Sequence, residues 1–168
     1  AWNEEARLPG LLRAVRDVMA GAAMRYRVIV VDDGSQDETA RVAQRCDQAV
    51  PLQLVRHAAN QGLGATIRDG LLAAVEQASD GDVIVTMDAD GTHEPSAIPL
   101  MAQMVADGHD VVIASRYHPR SRVHGVRLHR RLLSRGASLL MQALVPIPGV
   151  RDFTCGYRMY RVSAIRSA

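Results

Sequence analysis

Asp88 and Asp90 stand one residue apart where an apolar run ends, in the stretch VIVTMDADGTHEP. Side chains alternate along an extended strand, so two carboxylates at i and i+2 project to one side if the extension persists through Ala89. Side by side they repel one another and attract a hard divalent cation. Mg²⁺ or Mn²⁺ held this way keeps open positions for phosphate oxygens, which makes a diphosphate the natural ligand. A polar turn that merely ends a strand is the ordinary alternative. Thr92 and His93, just beyond Gly91, are further candidate ligands, although a histidine beside a turn is more often simply solvated. A second pair, Asp32 and Asp33, closes the run YRVIVV. Carboxylates there can accept hydrogen bonds from a base N–H or from ribose hydroxyls, or can form an Asx turn ahead of a helix. The Gly62-Leu63-Gly64 loop lacks the third glycine of the dinucleotide fingerprint and its acidic residue about 20 positions later, which disfavours NAD.

Positioning these groups requires a sheet edge. Four short apolar runs, YRVIVV, LQLVRH, DVIVTM and DVVIAS, alternate with segments of helical periodicity such as Leu8, Leu11, Leu12, Val15 and Met19. Strand alternating with helix predicts an α/β fold whose mostly parallel sheet is covered by helices. The loops after the four strands then share one edge, the place where open α/β folds bind ligands. Ser35-Gln36-Asp37-Glu38 has the form of a capping box and predicts a helix from Thr39 to Ala49. After Arg116 the rhythm changes. Leu128, Leu132, Leu139 and Leu140 fall on one helical stripe, with Arg127, Arg130, Arg131 and Arg135 largely on the other faces. Such a basic amphipathic helix, over 127–144, suits a membrane interface with its arginines among lipid phosphates. A helix covering one side of the sheet is the plainer alternative.

Charge is divided along the chain. Residues 1–110 hold 9 Arg against 17 acidic residues, a net −8, whereas residues 111–168 hold 11 Arg against one Asp, a net +10. The acidic part suits cations and the basic part suits phosphates or an anionic membrane face. All 20 basic residues are arginine, so phosphate-loop NTPase and Schiff-base chemistry are excluded for want of a lysine. Cys46 and Cys155 stand far apart without metal-type spacing, which favours small apolar fillers in a reducing setting over a disulfide framework. At 168 residues, 48% of them hydrophobic, one domain with its own core is expected. The opening AWNEEARLPG shows neither a basic leader nor an apolar stretch, so no targeting peptide is expected. No apolar run approaches the ~20 residues that span a bilayer.

Taken in order, WNEE, VVDDGSQDET, NQGLGATIRDGL, MDADGTHEP, SRY, HRRLLSRGA and DFTCGYRMY resemble the family 2 glycosyltransferases of GT-A fold. The likeness is strongest to the dolichol-phosphate mannosyltransferase-like, polyprenyl-phosphate glycosyltransferase branch. The resemblance implies that Trp2 and Glu4 border the nucleotide and that Asp32 and Asp33 hold base and ribose. Asp88, Ala89 and Asp90 correspond to the D-x-D that takes the donor diphosphate and its Mg²⁺ or Mn²⁺, with Asp90 the more direct ligand. Arg116, Arg130 and Arg131 correspond to arginines near the donor and acceptor phosphates, and Arg158 to the arginine of an S-G-F-R stretch. The branch usually carries Gln where this chain has Thr92, so the third metal ligand falls to Thr92 or His93. Relative to the family pattern, the first strand and the later loop that closes over the donor are missing from residues 1–168. Without Q-x-x-R-W, a processive polysaccharide synthase is not expected.

The implied reaction is inverting transfer of mannose or glucose from a nucleotide diphosphate, such as GDP-mannose, to dolichyl or undecaprenyl phosphate. It would run at the cytoplasmic face of a membrane, with no nucleic acid partner. The acceptor phosphate, with a second pKa of about 6, is already anionic at pH 7 and needs little help from a base. Arginine should therefore dominate the acceptor side, and Asp152, the single acid in the basic segment, is expected to cap or orient a neighbour. A binding module without turnover and a sugar nucleotidyltransferase are the alternatives, the latter weakened by the absence of lysine.

Overall fold

A computed structural model describes residues 1–46, 50–115, 144, 150 and 152–167. Helix α1 (Leu8–Gly21) follows from the spacing of its apolar residues: Leu8, Leu12, Val15 and Met19 are buried on one face. Pro9 falls in the first turn, where no intrahelical bond is lost to its missing N–H. Strand β1 (Val28–Asp32) and strand β2 (Leu52–Arg56) pair in parallel, joined through α2 (Thr39–Cys46). Their register sets Asp32 opposite Arg56, so both strands deliver polar side chains to the same edge. Helix α3 (Leu63–Gln77) leads to β3 (Val83–Thr86). A single 3-10 turn (Pro95–Ala97) then starts α4 (Ile98–Ala106), which is followed by β4 (Val111–Ile113). The last elements are β5 (Arg158–Arg161) and the short α5 (Val162–Arg166).

The four predicted strands are all present, and the α/β alternation holds. The described strands fall into two sheets, the parallel pair β1–β2 and the three strands β3, β5 and β4. Strands β3 and β4 run in the same direction but do not touch; β5 lies between them, antiparallel to both, with Met159 opposite Val85 and Val112. Arg158–Arg161 reads Arg-Met-Tyr-Arg, too short and too charged at its ends to signal a strand by apolar periodicity. Its pairing is a tertiary matter: Met159 is 1% exposed, inside the core.

Two apolar clusters form that core. One joins Val15 and Met19 of α1 to Ile98, Met101 and Val105 of α4 and to Val112, Tyr157 and Met159. The other joins Leu8 and Leu12 to Val30, Ala43 and Val50. Helix α1 thus reaches both, its first half packing by β1 and its second half by the antiparallel sheet. The predicted capping box does not form as written. The Glu38 amide that Ser35 Oγ would accept donates instead to Glu5 Oε2 at 2.8 Å, Ser35 Oγ accepts the Asn3 amide, and Asp37 Oδ1 accepts the Thr39 amide at 2.9 Å and the Thr39 hydroxyl at 2.5 Å. Residues 47–49, the predicted end of α2, lie outside the described residues, as does nearly all of the basic segment 127–144, of which Leu144 alone is described. Among the described residues no helix is long and apolar enough to cross a membrane.

Candidate active site

The loop after β1 is pinned from two sides. On one side the N-terminal segment is stitched to residues 35–39. Asn3 N donates to Ser35 Oγ at 3.0 Å, Glu4 N to Thr39 Oγ1 at 2.8 Å and Glu5 N to Asp37 Oδ2 at 3.2 Å. In return Gln36 N donates to Asn3 Oδ1 at 3.0 Å and Glu38 N to Glu5 Oε2 at 2.8 Å. Thr39, with no exposed surface, uses one hydroxyl to join the two segments. WNEE and VDDGSQD, distant in the chain, therefore form one wall. Trp2 remains 53% exposed on it, and the Glu4 carboxylate pairs with Arg7 at 3.1 Å.

On the other side stands the loop after β2. Asp33 Oδ1 accepts the Gln61 amide at 2.8 Å and lies 2.7 Å from His57 Nδ1, while Oδ2 accepts the Gly62 amide at 2.9 Å. The Gln61 amide, then the His57 ring, hold the Asp33 carboxyl down to about 2, well below the usual carboxylate range, because each donor favours the anion. Asp33 is thus the tie between the two loops, with both oxygens engaged by the protein. Contact is closest at Gly34, which has φ +68°: a Cβ there would lie 2.4 Å from the Ala59 carbonyl carbon and 2.6 Å from Asn60 N. Only glycine permits that approach.

Asp32 differs from its neighbour. It has no exposed surface, and its Oδ1 accepts the Ser35 amide at 3.1 Å. Its Oδ2 faces Arg56 Nε at 3.1 Å but off the hydrogen-bond axis. Among the described residues it is the buried side-chain oxygen without a hydrogen-bond partner. Gly34, Ser35, Arg56, His57 and Ala58 line a cavity of about 340 Å³ at this edge. Asp32 does not itself line that cavity, but its ion-pair partner Arg56 and its hydrogen-bond partner Ser35 do.

The extended conformation does not persist through Ala89. Strand β3 ends at Thr86, and residues 89–90 form a turn. Asp90 Oδ1 closes it by accepting the Thr92 amide at 2.9 Å and the Thr92 hydroxyl at 2.6 Å, with Gly91 at φ +74°. Ala89 packs against the cluster around Val30 and Leu8, which sets the turn beside β1. Five hydrogen bonds thus tie the segment bearing Glu4 to the loop after Asp32 and Asp33, and the packing of Ala89 sets the turn with Asp88 and Asp90 beside β1.

Asp88 is half exposed, and the space beside it is open because residue 156 is glycine; a Cβ there would sit 3.4 Å from Asp88 Oδ1. The half-exposed Asp88 carboxylate is a hard oxygen donor of the kind that Mg²⁺ or Mn²⁺ takes together with phosphate oxygens and water. His93 is occupied otherwise. Its Nδ1 accepts the Asp88 amide at 3.0 Å, its Nε2 lies 3.6 Å from Asp88 Oδ2, and its ring stacks on Tyr157 with centroids 4.9 Å apart. Among the described residues no three His, Cys, Asp or Glu side chains gather as a metal site.

The segment before β5 completes this side. Asp152, with no exposed surface, accepts from the Thr154 amide at 3.2 Å and hydroxyl at 3.1 Å, an orienting role of the kind expected. Arg158 donates from Nε to Cys155 O and from Nη2 to Phe153 O, both at 2.7 Å, so this predicted phosphate ligand shapes its own loop. Arg116, Arg130 and Arg131 lie outside the described residues. Sequence reasoning missed His57, Asp69 and Tyr157, whose signals were one-letter matches inside longer motifs with no periodicity of their own.

Comparison with known proteins accounts for the arrangement. The glycosyl transferase family 2 profile matches residues 1–167. A dolichol-phosphate mannosyltransferase of Pyrococcus furiosus is 32% identical over 151 residues, 90% of this chain and 40% of that protein. A polyprenol monophosphomannose synthase of Mycolicibacterium smegmatis is 33% identical, covering 95% of this chain and 58% of its own length. An undecaprenyl-phosphate 4-deoxy-4-formamido-L-arabinose transferase of Pseudomonas paraeruginosa is 32% identical over 99% of this chain and 46% of that protein. The chain thus spans about half the length of these relatives. Among solved structures, a mycobacterial protein superposes with a TM-score of 0.68 at 22% identity, over the whole chain and 53% of its own. S. aureus TarS 1-349 in complex with UDP-GlcNAc gives 0.62 at 19% identity, over 99% of this chain and 45% of its own; both likenesses concern the fold. With its profile matched from residue 1 to residue 167, the chain belongs to glycosyl transferase family 2.

Proposed function

We propose that residues 1–168 form a catalytic domain that moves a hexosyl group, mannose or glucose, from a nucleotide-diphosphate donor to a polyprenyl phosphate, with inversion. What supports the donor side is Asp32, whose buried Oδ2 makes no hydrogen bond and is held by ion pairing to Arg56, a residue that lines the cavity at this edge. A buried carboxylate acceptor favours a base or ribose N–H or O–H as its partner, since an unmet buried acceptor is costly. The acceptor class rests on the printed names of the three relatives.

In this reading Trp2 and Glu4 wall the nucleoside, and Asp32 orients it. Asp33 supports the site through the Gln61 and Gly62 amides. Asp88 and Asp90 would hold Mg²⁺ or Mn²⁺, which supplies Lewis-acid neutralisation of charge on the departing diphosphate. Asp90 keeps its turn through Thr92, and His93 steadies Asp88. Arg116 would serve the donor phosphates, and Arg130 and Arg131 the acceptor phosphate, whose own negative charge makes it the nucleophile without a dedicated base. The basic segment 127–144 meets anionic lipid at the membrane face.

Titration with GDP-mannose and UDP-glucose in Mn²⁺ and then EDTA, followed by a transfer assay on a short polyprenyl phosphate, tests this. Metal-dependent donor binding with sugar transfer is expected. Binding without transfer would make the chain a nucleotide-sugar binding module, and release of pyrophosphate from an NTP plus a sugar phosphate would make it a nucleotidyltransferase. Asp90→Asn should abolish metal-dependent donor binding while the fold survives. Arg130→Ala should weaken acceptor use more than donor binding; equal loss of both would count against its placement.

A further inference from the structure

We propose that His57 is a positioning residue, a doubly hydrogen-bonded imidazolium that locks Asp33 and the 58–62 loop into the shape of the donor edge. The ring is 8% exposed. Its Nδ1 is 2.7 Å from Asp33 Oδ1 and its Nε2 is 3.0 Å from Asp69 Oδ2. An ionised carboxylate can only accept hydrogen bonds, and a neutral imidazole has one N–H to give. Both contacts are hydrogen bonds only if both nitrogens carry hydrogen. Both carboxylates are secured as anions by other donors: Asp33 by the Gln61 and Gly62 amides, and Asp69 by Arg68 Nε at 2.7 Å. The folded site therefore favours the charged ring, whose pKa is raised chiefly by Asp33 and opposed by burial.

The three partners come from three elements. Asp33 follows β1, His57 follows β2 and Asp69 lies in α3, so one proton holds together the strand ends and the helix behind them. The other charged groups at this place are Arg68 on Asp69 and Arg56 on Asp32. Deprotonation would leave one nitrogen facing a carboxylate lone pair, loosening Asp33 from β2 or α3 from the edge. Gly34, pressed against Ala59 and Asn60, and the cavity lined by His57 and Ser35 would feel the change directly.

The inference rests on the reading that this edge binds the donor, and its test separates the two. Without donor, ¹⁵N NMR of the ring should show both nitrogens protonated at pH 6.5, and the Gln61 and Gly62 amide shifts should titrate with the ring midpoint. A singly protonated ring at pH 6.5, or amide shifts blind to its titration, would overturn the inference whatever the donor result. Asp69→Asn should move the ring midpoint down; an unmoved midpoint would also overturn it, and this variant serves where His57→Gln does not fold. With GDP-mannose or UDP-glucose, wild-type affinity should fall several-fold as pH rises through the ring midpoint. His57→Gln should bind weakly at every pH with that slope gone, and unchanged affinity in the variant would refute a positioning role. Failure of the wild type to bind either nucleotide sugar would sink the donor reading while the NMR still decides the state of His57.

Discussion

Replacing Gly34 by alanine isolates the close approach on which the donor edge depends. Two penalties add. At φ +68° an L-residue costs roughly 1–2 kcal/mol, and a Cβ 2.4 Å from the Ala59 carbonyl carbon forces backbone to move, at about 1–3 kcal/mol by the measure of overpacked cores. Alanine's smaller unfolded-state entropy returns about 0.4–1 kcal/mol. The net loss should be roughly 2–4 kcal/mol, a large share of the ~5–15 kcal/mol that holds a domain together. Gly91→Ala is the control, since Gly91 has a similar positive φ, +74°, but a Cβ there meets nothing within 4 Å. It should lose only the conformational part, about 1 kcal/mol. Urea unfolding of both variants, with slopes compared to confirm an unchanged unfolded state, measures the difference. Donor affinity of folded Gly34→Ala should also drop, because the turn bearing Asp32 is pushed off the 58–62 loop. Equal stability losses in the two variants would show that the contact between these loops is not as tight as described.

Stability should depend on pH from both sides. The folded pKa of His57 is raised above its unfolded value, so its contribution is complete below about pH 6.5 and is lost as pH rises through the folded value. Asp33, held at about 2, contributes above the unfolded carboxyl value and loses that contribution as pH falls toward 2. Urea unfolding from pH 3 to 9 should show both limbs, and a flat alkaline limb would contradict the charged ring. Thr39→Val removes the hydroxyl that accepts the Glu4 amide; the unmet donor should cost about 1–3 kcal/mol, and donor affinity should fall as the WNEE segment detaches. Met159→Ala, at a site 1% exposed between β3 and β4, should cost about 2–5 kcal/mol in the same urea assay while donor affinity of the folded fraction is kept.

The residues alone determined the elements with long-range periodicity. Leu8, Leu12, Val15 and Met19 repeat as a helix must, and VIVV and DVIVT are strands by composition, so α1, β1 to β4 and the sharing of polar residues at strand ends were legible. The position of Asp32, Asp33, Asp88 and Asp90 at strand ends likewise made them candidates for one edge. Pairing order was not legible, because β5 has only one buried residue, Met159, among its four, and its place between β3 and β4 follows from long-range contacts that no local pattern encodes. The division of labour between Asp32 and Asp33 was equally hidden. Adjacent and chemically identical, they alternate in direction, so Asp33 meets the Gln61 and Gly62 amides while Asp32 meets the Ser35 amide and Arg56. The same holds for His57, which in sequence is only the residue after a strand. Its charge exists because tertiary packing brings carboxylates from two other elements to its two nitrogens.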